Sequence, residues 1–323
     1  MAEFMLIDVN SIGYANQHSH TRTGQGMQVQ AILGTVRSIA KRMREYPRHF
    51  PVVMWDGRAQ WRYDLYPDYK SGRLKKESSL LARAAYEKQR PFIKMLAGTL
   101  GLTQAVAPSA EADDLGFQLM AALVARGHKV LQVTADTDSL QGYREGFSWL
   151  DPRFERIIRS PADLKAHVGT DCPRTYLEAK ALEGDTSDTI GGVSRVGIPT
   201  ALKVFAQYGG SMSSFYEAVE KGQVDLKKKI LGSLASDEGR AIFARNMKLM
   251  DLAAAPALQA DDIVITTEPV NQDGFQQWID HFDFADVIYS VKGFLAPFRA
   301  LGDREGYGDL MNVVEGLQDV EYV

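Results

Sequence analysis

Three short apolar runs each end in an aspartate: FMLIDV (4–9) at Asp8, FPVVMWDG (50–57) at Asp56 and HKVLQVTAD (128–136) at Asp136. A brief apolar run bounded by turn residues reads as a buried strand. Helix-spaced segments separate the runs. Residues 28–46 place Val29, Ile32, Leu33, Val36, Ile39, Ala40 and Met43 on one face. SLLARAAYEKQRPFIKMLAGTLGL is also helical, and Pro91 is expected to break or kink it. TQAVAP is a further short strand, and Ser109 is expected to cap a helix over 110–126. Strand and helix alternate, which predicts an α/β fold around a central, mostly parallel sheet flanked by helices. From about residue 161 the pattern becomes mostly helical, and no internal repeat is visible.

In open parallel sheets, ligands bind beyond the carboxyl ends of the strands. Asp8, Asp56 and Asp136 sit at three such ends, AEADDLG brings Glu111, Asp113 and Asp114 to the head of a following helix, and TADTDS adds Asp138. Any one of these acids is more readily explained as a helix-dipole or turn residue. Together they are not, because two unit charges about 4 Å apart repel by about 1 kcal/mol in water and about 4 kcal/mol at an effective dielectric of 20. Such a cluster needs cations. Oxygen ligands without paired His or Cys point to Mg²⁺ or Mn²⁺, and two such ions stabilise the attacking and leaving oxygens of phosphodiester cleavage.

The chain has 323 residues, 45% hydrophobic and 24% charged, which suits a folded protein of one or two domains. Cys172 is the only cysteine, so an intrachain disulfide and a cysteine zinc cluster are excluded. Neither a signal peptide nor an apolar span of about 20 residues is seen, and the cytoplasm is the expected compartment. His18, His20, His49, His128, His167 and His281 read as structural or surface residues.

A net charge of −4 taken alone argues against a nucleic-acid partner, but the distribution reverses that. GRAQWRYDLYPDYKSGRLKK opens a basic stretch containing Arg62, Lys70, Arg73, Lys75, Lys76 and Arg83, with Tyr63, Tyr66 and Tyr69 nearby. Bases bind phosphates and aromatics stack on nucleobases. The outer lysines are equally compatible with a solvated helix face. A second signal is LEGDTSDTIGGVSRVGIPTALKVFAQYGG (182–210), where Gly191, Gly192 and Gly197 punctuate a hairpin between helices. Such a turn presents backbone N–H groups to phosphates. Asp185 and Asp188 precede it. With the nine candidate ligands and the acidic segment 303–323 set aside, 36 bases face 26 acids.

LIDVNS, WDGRAQWRYDLYPDYKSGR, AEADDLG, TADTDSLQ and GDTSDTIGGVSRVGIPTA, in this order and spacing, resemble the 5′-nuclease family over roughly residues 4–210. That family comprises the 5′-nuclease domain of bacterial DNA polymerase I, bacteriophage 5′–3′ exonucleases and flap endonucleases. The resemblance implies a PIN-like core over 1–180 with a helical arch at about 71–94. It also implies a helical DNA-binding region over 181–302 with a helix–three-turn–helix at about 189–208; the remaining acidic tail at 303–323, with few large apolar residues, reads as a loosely held segment or a partner-binding site. Asp8, Asp56, Glu111, Asp113, Asp114, Asp136, Asp138, Asp185 and Asp188 would form its metal cluster, with Asp8 and Asp56 central to catalysis. Lys70 and Arg73 would be the catalytic basic pair. Arg62, Tyr69, Lys75, Lys76, Arg83, Gly192, Arg195, Gly197 and Lys203 would join them in contacting DNA. Two Mg²⁺ or Mn²⁺ ions, and a K⁺ at the hairpin, are implied as cofactors.

Three positions depart from the family pattern. Ala15 stands where many relatives carry Arg, Arg195 replaces the usual second-turn Gly, and Pro199 replaces a Lys. The reading is a metal-dependent 5′-nuclease acting on DNA with a free 5′ end or flap, RNA-primed substrates included, and no membrane partner. Its rivals are a Mg²⁺-dependent phosphatase with an Asp nucleophile, which leaves the basic stretch and hairpin unexplained, and a catalytically idle DNA-binding module, which leaves the acids unexplained.

Overall fold

The computed structural model describes residues 1–74, 77–303 and 306–320. Lys75 and Lys76, expected on DNA, lie outside them. The strands are β1 (Glu3–Asp8), β2 (Thr23–Gly24), β3 (Met27–Gln28), β4 (His49–Trp55), β5 (Thr103–Val106), β6 (Lys129–Val133), β7 (Phe147–Asp151), β8 (Arg156–Ile158), β9 (Gly184–Asp185), β10 (Ile190–Gly191) and β11 (Val264–Thr266). Seven of them form one sheet in the order β11-β5-β4-β1-β6-β7-β8. The five inner strands run parallel, while β11 and β8 close the edges antiparallel. This is the α/β fold expected. Sequence patterning had not marked β7, β8 or β11, each no longer than five residues and at or next to an edge.

Helices cover both faces, so successive residues of each inner strand are buried and the strands read as unbroken apolar runs. On one face Met5, Ile7, Val53 and Val133 pack under α1 (Val9–Gln17), α2 (Gln30–Glu45) and α4 (Glu77–Thr99). Two late helices, α12 (Gln272–Phe282) and α13 (Val291–Arg299), join this layer through Phe275, Phe282 and Phe298. On the other face Phe4, Leu6, Val52 and Met54 meet α5 (Ala112–Ala125). A separate apolar cluster unites α7 (Pro173–Glu183), α8 (Ile198–Gln207), α9 (Met212–Glu220) and α10 (Lys229–Ala235), while α3 (Gln60–Leu65), α6 (Pro161–Val168) and α11 (Asp237–Met250) complete the helices up to α12.

Three local expectations change. Helix α4 runs through Pro91 without a break, held by burial of Tyr86, Gln89, Ile93 and Leu96 on either side of it. Helix α5 starts at Ala112 with Glu111 as its N-cap, while Ser109 sits in the preceding turn. The segment read as a loose tail carries α14 (Tyr307–Glu315), whose Leu310, Val313 and Val314, with Leu317, are buried in the α5 layer. Its acids face outward from an apolar stripe at helical spacing.

Candidate functional site

Strand register brings the acids together. Asp8 pairs level with Met54, two residues before Asp56, and Ile7 pairs with Val133, three before Asp136. All three therefore emerge at one edge of the sheet. Asp8 caps α1, its Oδ1 accepting from Ser11 N (3.0 Å) and its Oδ2 from the Thr134 hydroxyl (3.0 Å). Asp56 Oδ1 accepts from Ala112 N at 2.9 Å, which docks the start of α5 beside β4. Asp136 caps the turn Thr137–Gly142 and accepts from Asp138 N at 2.9 Å.

A cleft of about 1130 Å³ opens above these ends, and Asp8, Asp56, Glu111, Asp113, Asp136 and Asp185 line it. Burial and the neighbouring Asp56 push the Asp8 carboxyl up to about 7. Burial, then Asp136 and Asp8, hold Asp113 well above the usual range, and its buried Oδ1 accepts no hydrogen bond. Asp56 and Asp136 are raised too, chiefly by burial. At Asp185, burial acts upward but Lys180 and the Ser187 and Asp188 amides outweigh it, leaving the group below the usual range.

Cations stand among the acids. Lys70 Nζ lies 2.5 Å from Glu111 Oε1 and 3.8 Å from Asp188 Oδ2. Arg73 pairs with Asp188 and donates to Ser187 O at 3.1 Å. Lys180 of α7 pairs with Asp138 and lies 3.8 Å from Asp185. As these side chains stand, no three acids among the described residues close around one point. From α4, Ser79, Arg83, Tyr86, Glu87 and Arg90 form one helical face over the cleft.

Several expected residues lie elsewhere. Arg62 is 3% exposed, and its guanidinium binds Asp114 in a two-pronged pair (2.7 and 2.6 Å) and Leu249 O (3.0 Å). Neither Arg62 nor Asp114 reaches the cleft, because each satisfies the other in the interior. Tyr69 is buried and bonds Glu111 and Asp188 through its hydroxyl (2.9 and 3.0 Å), so its ring is not free to stack on a base. Asp138 and Asp188 adjoin the cleft through their cation partners without lining it. Arg195, at φ +66, and Lys203 are exposed around the hairpin. Gly197 caps α8, but the Ile198 N–H already donates to Glu183 Oε1 at 3.2 Å. His18, read as structural or surface, lines the cleft with Tyr14 and Ala15.

Sequence reading missed Lys180 and Arg153, both in the cleft wall, where Arg90 of the expected arch segment 71–94 joins them. A lysine between two buried alanines of α7, five residues before Asp185, was a usable signal for the first. Nothing in sequence marks Arg153, which reaches the site only through the β7–β8 turn.

The chain belongs to the family described as 5′-3′ exonuclease, N-terminal resolvase-like domain, which matches residues 3–169. It is 29% identical over 287 residues to DNA polymerase I of Mycobacterium bovis, covering 87% of this chain and 30% of that protein. It is 28% identical over 288 residues to the thermostable DNA polymerase I of Thermus thermophilus, covering 88% and 32%. The chain thus spans about 30% of the length of the curated relatives it matches. In fold it is similar to a bacteriophage T5 flap endonuclease solved with DNA and metal ions (TM-score 0.66, 16% identity, 94% of this chain and 100% of that one). It is also similar to the catalytic core of Rad2 in complex with a DNA substrate (TM-score 0.58, 16% identity, 92% and 91%). No helix among the described residues is long and apolar enough to cross a membrane.

Proposed function

We propose that the chain hydrolyses phosphodiester bonds at the 5′ ends or 5′ flaps of DNA in a divalent-metal-dependent reaction. The observation that carries this reading is the cleft itself, where Asp8, Asp56, Asp113 and Asp136 crowd at the sheet edge with Asp113 Oδ1 unpartnered. Crowded, partly buried carboxylates are costly without positive charge. An all-oxygen donor set with a free buried oxygen fits a hard divalent ion. The metal-ligand role therefore falls to Asp8, Asp56, Glu111, Asp113, Asp136 and Asp185, with Asp138 and Asp188 adjoining. Bound there, two ions supply charge neutralisation at the attacking and leaving oxygens. Their identity as Mg²⁺ or Mn²⁺ belongs to this proposal, as does K⁺ at the hairpin, where Gly191 O is already taken by Arg245 and Asn246.

The protein's own groups do the rest. Lys70 and Arg73, on the cleft wall, exchange their carboxylate partners for substrate phosphate and offset its developing charge. Arg83 and Arg90 on α4 hold the strand that crosses the cleft. Arg195 and Lys203 contact duplex backbone, without reading base edges.

The test is cleavage of a labelled 5′-overhang duplex with and without Mg²⁺, comparing wild type with Asp136→Asn. Wild type cuts only with the metal, and the variant binds duplex normally but cuts at least a hundredfold more slowly, on the order of the loss when one group stabilising transition-state charge is removed. Cutting by the variant at the wild-type rate removes Asp136 from the metal set. Absence of cutting by wild type on every 5′-ended substrate sinks the nuclease reading.

A further inference from the structure

The turn joining β7 to β8, residues 152–155, contributes nothing to the acidic cluster, yet it is firmly fixed. Glu155 sits at φ +53, a conformation that residues other than glycine rarely adopt. Arg42 Nη1 and Nη2 hold its carboxylate at 2.8 and 2.5 Å, and Lys41 Nζ adds a contact at 2.7 Å. Arg42 is itself buried in α2, so an interior guanidinium anchors an exposed turn. What the turn presents is Phe154, 69% exposed, beside Arg153. Arg153 lines the cleft; its Nε and Nη2 pair with buried Asp151 at 3.2 and 3.0 Å, and Nη2 also donates to the carbonyl of Ala135, the residue before Asp136, at 3.1 Å. Its guanidinium carbon lies 5.3 Å from the centre of the Phe154 ring. The ring therefore stands at the cleft rim on a rigid support, backed by a cation that faces the cleft.

Most exposed phenylalanines need no explanation, but this one has a fixed mount and a position beside a guanidinium held in place by Asp151 and the Ala135 carbonyl. A flat apolar ring next to a guanidinium matches a nucleobase next to its own phosphate. Paired bases are covered by their neighbours and held by their partners, so the ring is open to an unpaired base. We propose that Phe154, backed by Arg153, is a stacking platform for an unpaired base of the nucleic acid whose reacting end lies in the cleft. The inference rests on the nuclease reading above and names how single-stranded substrate is held.

The test uses the full chain and 2-aminopurine placed at successive positions of the unpaired 5′ strand of an overhang duplex, titrated in EDTA. Phe154 is exposed, so Phe154→Ala leaves the core intact. Wild type quenches the probe at one or two adjacent positions, Phe154→Tyr keeps that quench, and Phe154→Ala loses it. Phe154→Ala also binds the overhang about tenfold more weakly, the scale of one lost stacked base, and binds blunt duplex unchanged. A quench profile identical in wild type and Phe154→Ala, or equal weakening on blunt duplex, overturns the platform. Cleavage assays read the nuclease activity separately, so failure of one reading is distinguishable from failure of the other.

Discussion

Arg62 and Asp114 form an ion pair almost without solvent contact, 3% and 1% exposed. Removing one partner of such a pair leaves the other charged and buried, which typically costs about 3–5 kcal/mol. Arg62→Met is therefore expected to lower the unfolding free energy by about that amount in a denaturant titration. A variant as stable as wild type would remove the pair from the folding energetics and reopen a DNA role for Arg62. Lys70 shows the contrasting case. Its ammonium is on the cleft wall, shared between Glu111 and Asp188, and its backbone N–H donates to Asp188 O at 2.7 Å. We expect Lys70→Ala to slow single-turnover cleavage by about a hundred- to a thousandfold, by analogy with loss of a preorganised transition-state donor. Affinity in Ca²⁺ should change much less. Weak binding with a normal rate at saturating enzyme would leave Lys70 a binding residue only.

Among the elements, the hairpin and α4 carry the most specific local requirements. Gly192 approaches the preceding chain so closely that an added Cβ would collide with the carbonyl of Glu183. Gly197 is less constrained, since its Cβ would press on the movable Glu183 side chain and touch Pro199 at ordinary contact distance. We expect Gly192→Ala to destabilise the β9–β10 ribbon by about 1–3 kcal/mol, the usual cost of overpacking. Gly197→Ala should be much milder in the same thermal unfolding experiment. Equal effects would show that the hairpin tolerates backbone movement at Gly192. Helix α4 is one element with two duties. Ile93, Leu96 and Ala97 in its second half anchor it in the core, and its first half holds Ser79, Arg83 and Tyr86 over the cleft.

At the scale of the molecule, the chain returns to its first half. Strand β11 adds to β5 from 158 residues later in the sequence, and α14 closes over α5. Truncation after Leu301 removes Leu310, Val313, Val314 and Leu317, all buried against the sheet layer. Each fully buried side chain of this kind contributes about 1.5–3 kcal/mol. The truncated chain is expected to melt well below wild type or to aggregate, by differential scanning fluorimetry and light scattering. An unchanged melting temperature would mean that α14 docks without contributing to the fold.

Short apolar strands, three of them ending in acids, with helices between them, were enough to specify four of the five parallel inner strands, β1, β4, β5 and β6, and the edge at which Asp8, Asp56 and Asp136 meet. The reason is that strand burial and register depend on local patterning. Edge strands β8 and β11 escaped because three residues carry too little periodicity, and β11 in addition pairs with a strand far back in the chain. Sequence also supplied the basic stretch but could not say which cations face the cleft. Arg62 turns inward because Asp114 and Leu249 O satisfy it there, and Arg153 reaches the cleft because Arg42 and Lys41 fix a turn more than a hundred residues away. Even the start of α2 is settled this way: its own N-cap side chain makes no bond, and Gln89 of α4 accepts from the Ala31 and Ile32 amides instead. Residue type fixed which groups had to find partners, and the tertiary structure chose the partners, because charge and hydrogen-bond satisfaction depend on distance in space and not on separation along the chain.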